Sequence, residues 1–248
     1  MHTSFEAALW GWLAGSSLLI GAALGWFLKL SSRSISSVMA FGSGVLVSAL
    51  CFELMDEAFQ RGGYFSSGMG FVIGVALYTT GARFVNKRGA KFRKRSGNFQ
   101  KKNDSNGKAI AMGALLDGIP ESIVIGVSMI EGKGAGLVTV LAIFISNIPE
   151  GLSSSSGMKA AGQSKTYVFS LWSGIALVSG IASFLGFTLI GGMSPMIIGG
   201  VTALAAGAIL AMIVDTMIPE AYEEEGDWAG MITGAGFLVS FICSKLSM

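Results

Sequence analysis

The chain has 248 residues, of which 52% are hydrophobic and only 13% charged, and its formal net charge is +2. Soluble domains carry roughly 25% charged residues, so with a mean hydropathy of +0.64 the composition excludes an ordinary soluble enzyme and points to an all-α integral membrane protein. Near-neutral charge gives no general attraction to nucleic acid, and none is expected as a partner.

Apolar runs of roughly 20 residues, enough to cross a bilayer, fall at 8–28, 36–58, 66–85, 109–130, 135–158, 167–190, 197–219 and 228–246. They predict eight transmembrane helices in a single transport domain covering 1–248. No basic segment precedes the first run, so it reads as a retained span and not a signal peptide. Many of the 36 glycines lie inside these runs, which suits helices whose backbones approach closely in lipid. Cys51 and Cys243 read as small buried hydrophobes without a disulfide framework. The lone histidine, His2, is terminal and incidental.

The third and fourth runs are joined by the most basic stretch of the chain, 86–108, with Lys87, Arg88, Lys91, Arg93, Lys94, Arg95, Lys101, Lys102 and Lys108. The positive-inside rule makes it cytoplasmic and puts both termini outside, in the cell (inner) membrane. Topology is sufficient to explain its charge; contact with anionic lipid is a second reading.

The most informative pattern occurs twice. Asp117-Gly118-Ile119-Pro120-Glu121-Ser122 lies in the fourth run and Ser146-Asn147-Ile148-Pro149-Glu150-Gly151 in the fifth, 29 residues on. A carboxylate at mid-membrane costs about 2.5–3.5 kcal/mol on insertion scales. Asp117 and Glu121 are one turn apart, as are Ser146 and Glu150, so each pair shares a face. Pro120 and Pro149 withhold an N–H from the carbonyls of Leu116 and Ile145, which adds oxygen ligands nearby. No Lys or Arg lies in the core of any run, so these acids are expected to lack a cationic partner within the protein. Two close carboxylates do not both stay charged unaided; a proton, a metal cation or both would compensate. The ligand set is oxygen only, suited to Zn²⁺, Mn²⁺, Fe²⁺ or harder ions. A purely structural reading also exists for Asp117, as a hydrogen-bonded acid that packs helices.

A second repeat relates Gly44 and Glu57 to Gly207 and Glu220, 163 residues on. That shift spans five runs, an odd number, so it describes an inverted 3+2+3 repeat, a plan recurrent in secondary transporters.

The paired Pro-Glu segments resemble those of the ZIP (Zrt/Irt-like) divalent metal transporters, whose fourth helix carries His-Asn-x-Pro-Glu-Gly and whose fifth carries a similar segment. The seventh run, with Asp215-Thr216-Met217-Ile218-Pro219-Glu220-Ala221, is similar to that family too. The resemblance implies eight helices and a binuclear midplane centre with Glu121 and Glu150 as shared ligands. Asp117 stands at the fourth-helix histidine position. Asn147 stands at a fifth-helix ligand position, and Ser146 where many members have His or Gln. Gly118, Ser122 and the missing sixth-helix acid near Ala182-Ser183 depart from the family, which implies a single metal and harder ligands, shifting preference from Zn²⁺ toward Mn²⁺ or Fe²⁺. The expected function is therefore transport of divalent transition metals (Zn²⁺, Mn²⁺, Fe²⁺ or Cd²⁺), pH-dependent because ligands must be deprotonated to bind; the resemblance and the small-residue helix faces are compatible with a homodimer. The alternative is a non-transporting sensor or accessory protein with a degenerate site. An intramembrane hydrolase and an anion carrier are disfavoured; no enzymatic activity and no prosthetic group are expected.

Overall fold

The structure is a computed structural model describing residues 3–94, 96, 107–130 and 135–246. Among the described residues it is entirely helical, with no strand. Helix α1 spans Ser4–Phe27, α2 Ser32–Ala49, α3 Met55–Val85, α4 Gly107–Ser128, α5 Ala135–Ala160, α6 Lys165–Leu185, α7 Pro195–Met212, α8 Ile218–Glu225 and α9 Ala229–Leu246. Within the expected loop at 86–108, residues 95 and 97–106 lie outside the described residues, but its first part is placed: Asn86–Ala90 continues α3 as a π-helical turn, and Lys91–Lys94 folds back toward the bundle.

Among the described residues six stretches are long and apolar enough to cross a membrane, which fits a helical membrane protein. Four have 19–26 residues, while Ser32–Ala90 has 59 and Pro195–Leu246 has 52. The eight runs read from the sequence are thus not eight separate helices. No loop divides the second run from the third, or the seventh from the eighth. Each long stretch is instead broken internally at a glycine with a backbone that side-chain-bearing residues rarely adopt: Gly63 at φ 66°, ψ −175° and Gly226 at φ 54°, ψ −123°; Gly89, at φ 104°, bends the end of the first stretch. Each also carries a π-helical turn, Leu50–Leu54 between α2 and α3 and Ile213–Met217 between α7 and α8. The surplus residue of a π turn bends the helix and re-aims the side chains around it.

Capping fixes several helix starts. Thr3 and Glu6 form a reciprocal capping box at α1; the Ser31 and Ser164 hydroxyls accept from N–H groups of α2 and α6.

Helices α3 and α7 form the most extensive interface, and α1 packs on both α5 and α6. Small residues set these distances. A Cβ on Gly74 would sit 1.9 Å from the Leu204 carbonyl oxygen, and one on Gly44 would sit 1.9 Å from that of Thr233. In lipid such proximity allows dispersion and Cα–H···O contacts to hold helices without a hydrophobic drive. Cys51 and Cys243, expected to be buried, are both exposed on the helix surface; a thiol is compatible with lipid.

Candidate functional site

Helices α4 and α5 run through their prolines without interruption, and both Pro-Glu segments contribute to one cavity. It is lined by Asp117, Gly118 and Glu121 of α4, Asn147, Glu150 and Ser154 of α5, Trp172 of α6, and Arg93 and Lys94. Its volume is about 10 Å³, room for about one water-sized particle. Four of the five residues singled out from the sequence therefore converge. Ser146 does not: its hydroxyl donates to the Ile143 carbonyl at 3.0 Å within α5. Asn147 lines the cavity, but its Nδ2 donates to the Ala14 carbonyl at 3.0 Å, tying α5 to α1.

The expectation that the acids lack a cationic partner is incorrect. The segment after α3 turns inward and delivers Arg93 and Lys94, respectively 2% and 5% exposed. Arg93 grips Asp117 through two parallel bonds, Nε to Oδ2 and Nη2 to Oδ1, both 2.9 Å, the fork geometry that makes arginine–carboxylate pairs strong. Tyr78 of α3 joins them: its hydroxyl donates to Asp117 Oδ1 at 2.7 Å and accepts from Arg93 Nη2 at 2.9 Å. Arg93 Nη1 donates to Asn86 Oδ1 at 3.1 Å and to the Ala90 carbonyl at 3.4 Å. The guanidinium arm passes directly over Gly113, where a Cβ would stand 2.3 Å from Arg93 Cδ. Glycine at that position of α4 is what lets the arginine reach Asp117.

Lys94 is held differently. Its Nζ lies 2.7 Å from Glu150 Oε2 and 3.3 Å from Asp117 Oδ2. The Ser153 hydroxyl is 2.8 Å from the Lys94 carbonyl and 2.8 Å from Glu220 Oε1. That same carboxylate oxygen of Glu220, on α8, accepts the Ser96 N–H at 2.9 Å. The basic segment is thus pinned at both its side chains and its backbone.

Two carboxylate oxygens remain over. Among the described residues, Glu121 Oε1 and Glu150 Oε1 are buried without a hydrogen-bond partner, as is the Trp172 Nε1 donor in the same cavity. Among the described residues no group of three or more His, Cys, Asp or Glu side chains is arranged to hold a metal ion: Asp117 is committed to Arg93, and the Lys94 ammonium lies against Glu150 and Asp117. The site as built is a buried charge network of three carboxylates and two cations, all less than 6% exposed.

Sequence reading missed Tyr78, Arg93, Lys94, Ser153 as a latch, and Trp172. Tyr78 and Trp172 carried no signal beyond being aromatic residues in apolar runs. Lys94 carried one that topology absorbed: a cation immediately after a span, within chain reach of acids one helix away. No family model and no curated protein matches the chain.

Proposed function

We propose that the chain is a ZIP-like carrier of divalent transition-metal cations whose cargo binds between Glu121 and Glu150. The observation that carries this reading is the pair of buried, unpartnered oxygens, Glu121 Oε1 and Glu150 Oε1, on two side chains lining one cavity. A buried anionic oxygen without a donor is costly, and a divalent cation entering between them would satisfy both. The carbonyls freed by the prolines, of Leu116 and Ile145, belong to residues outside the cavity lining, so water would complete the shell. Asp117 is a structural acid in the state described and not a cargo ligand, which leaves room for one metal. Zn²⁺, Mn²⁺, Fe²⁺ and Cd²⁺ are the candidates, with an oxygen-only shell favouring the harder of them.

Helix directions support eight crossings. Ser36 bonds to the Glu220 carbonyl, and Gly42 abuts Met217, so α2 and the α7–α8 stretch run oppositely. Gly70 meets Gly200, and Gly74 meets Leu204, so α3 and α7 run in parallel. The chain therefore reverses between α2 and the body of α3, where Gly63 breaks the helix. Gly236 against Phe41 and, further along both, the Ser244 hydroxyl bonded to Glu53 make α9 parallel to α2 and its continuation, which places a second reversal at Gly226.

The inverted repeat has the same kind of support. The two π turns are 163 residues apart. Gly44 against Thr233 and Phe237 corresponds to Gly207 against Phe71 and Val75; Gly236 against Phe41 corresponds to Gly74 against Leu204. Around the central pair, Gly21 against Ile148 corresponds to Gly186 against Ile123, and Gly151 against Leu18 to Gly126 against Ser183. These last pairs relate α5 to α4 by 25 residues, not the 29 of the Pro-Glu patterns. Glu121 and Glu150 are one turn out of equivalence, so the site is not itself symmetric. Rocking of one repeat against the other would expose it alternately to the two faces.

The Lys94–Glu150 pair also favours a second reading, a non-transporting sensor or accessory protein whose site is permanently filled by its own lysine. Uptake of Zn²⁺, Mn²⁺, Fe²⁺ and Cd²⁺ into proteoliposomes distinguishes the two. Flux in wild type that is lost in Glu121→Ala/Glu150→Ala supports the carrier; no flux from folded wild type supports the sensor.

A further inference from the structure

Arg93 and Lys94 are neighbours in sequence but are bound in different ways. Every nitrogen of the Arg93 guanidinium is tied to a fixed group, and its arm lies in a slot that only Gly113 leaves open. Lys94 makes point contacts to two carboxylates at the end of a flexible stem. Its ammonium sits beside Glu150, in a cavity with room for about one water-sized particle. That space is what remains with the ammonium in place; a divalent cation that takes Glu150 Oε2 as a ligand must displace the ammonium that stands 2.7 Å from it, and the two positive charges repel at that distance.

Charge counting gives the same division. With Lys94 withdrawn, Asp117 keeps Arg93, and Glu121 and Glu150 are left facing one another, a charge that one divalent cation matches. The backbone supplies a coupling: the Ser153 hydroxyl that contacts the Lys94 carbonyl also contacts Glu220 of α8, which holds Ser96. Moving Lys94 out disturbs a junction between α5 and the stretch that includes α7 and α8.

We infer that Lys94 is a tethered competitor of the cargo: it fills the Glu121–Glu150 site in the closed state, and a divalent cation binds by displacing its ammonium while Arg93 stays on Asp117 as the anchor. This inference rests on the carrier reading above. Its consequence is that the segment following α3 leaves the bundle only when cargo takes its place, so the lysine limits apparent affinity and closes that side of the site when metal is scarce.

The test is Mn²⁺ and Zn²⁺ binding to the purified full chain in lipid nanodiscs, for wild type, Lys94→Gln, Lys94→Arg, Ser153→Ala and Glu121→Ala/Glu150→Ala. The expected result is an apparent Kd lowered about tenfold or more in Lys94→Gln, as for loss of a close buried charge pair. Lys94→Arg is expected to remain at or above the wild-type Kd, and Ser153→Ala to fall between wild type and Lys94→Gln. Equal affinity in wild type and Lys94→Gln, with binding lost in the double-alanine variant, would overturn the competitor role and leave the cargo site standing. No binding in any form, or binding unchanged in the double-alanine variant, would overturn the carrier reading and the inference with it. If Lys94→Gln does not fold, Ser153→Ala carries the test, and a Kd equal to wild type there overturns the inference.

Discussion

Lys94 and Glu150 form a 2.7 Å ion pair in which both side chains are almost wholly buried. Glu121, one helix away in the same cavity, has no such partner for its Oε1. The two glutamates look equivalent in the sequence, yet one is held by a cation and the other is not. Removing one member of a buried pair costs about 3–5 kcal/mol because the other charge is stranded. Glu150→Ala should therefore lower thermal stability in detergent clearly more than Glu121→Ala, while Lys94→Met/Glu150→Met recovers much of the loss. Equal losses for the two single variants would contradict the pairing.

Arg93 makes a separate claim on stability. Arg93→Ala takes from buried Asp117 its two parallel bonds, leaving it only Tyr78 and the longer contact to Lys94, and removes a partner of Tyr78, an expected loss of about 3 kcal/mol. Arg93→Lys should rescue little of it, since an ammonium does not reproduce the two parallel bonds to Asp117. Gly113→Val should act like Arg93→Ala by filling the slot of the arginine arm. Thermal unfolding of the three variants side by side checks this ranking.

Close helix approach yields a prediction independent of the site. Gly74→Val and Gly236→Val put a Cβ within about 2 Å of a facing carbonyl oxygen, and overpacking of this kind costs about 1–3 kcal/mol or more. Gly68→Ala, with nothing within 4 Å, should be tolerated. Folded yield by size-exclusion chromatography should separate the first two from the third.

Eight crossings require the reversals at Gly63 and Gly226 to lie on opposite faces of the membrane. Both native cysteines are exposed, so they are first replaced by alanine. Tyr64→Cys and Asp227→Cys, each introduced singly, should then react with a membrane-impermeant thiol reagent from opposite sides of intact cells or vesicles. Reaction from the same side would contradict the eight-crossing topology.

Much of this architecture was legible because the bilayer makes the constraints severe. Apolar length located the helices, and the expense of a buried acid marked Asp117, Glu121 and Glu150 before any geometry was known. The basic stretch after the third run was legible as charge but not as a site component: its topological meaning is so common that the return of Arg93 and Lys94 into the bundle left no separate trace. That return depends on Gly113 and on Ser153 and Glu220, residues far apart in sequence whose roles exist only once the helices are packed. The breaks near Gly63 and Gly226 were legible as the gaps 59–65 and 220–227 between apolar runs; which residue takes the unusual backbone was not, since one glycine among 36 announces nothing until its φ is known. The 29-residue spacing of the Pro-Glu patterns was legible and misleading, because backbone contacts follow a 25-residue relation between the same two helices.

The central claim is that Glu121 and Glu150 bind the cargo directly, and zinc-edge X-ray absorption on protein loaded with one equivalent of Zn²⁺ tests it most directly. The account predicts an oxygen-only first shell at about 2.0–2.2 Å in wild type and its loss in Glu121→Ala/Glu150→Ala. A sulfur shell near 2.3 Å, or a spectrum unchanged in the double variant, would contradict it.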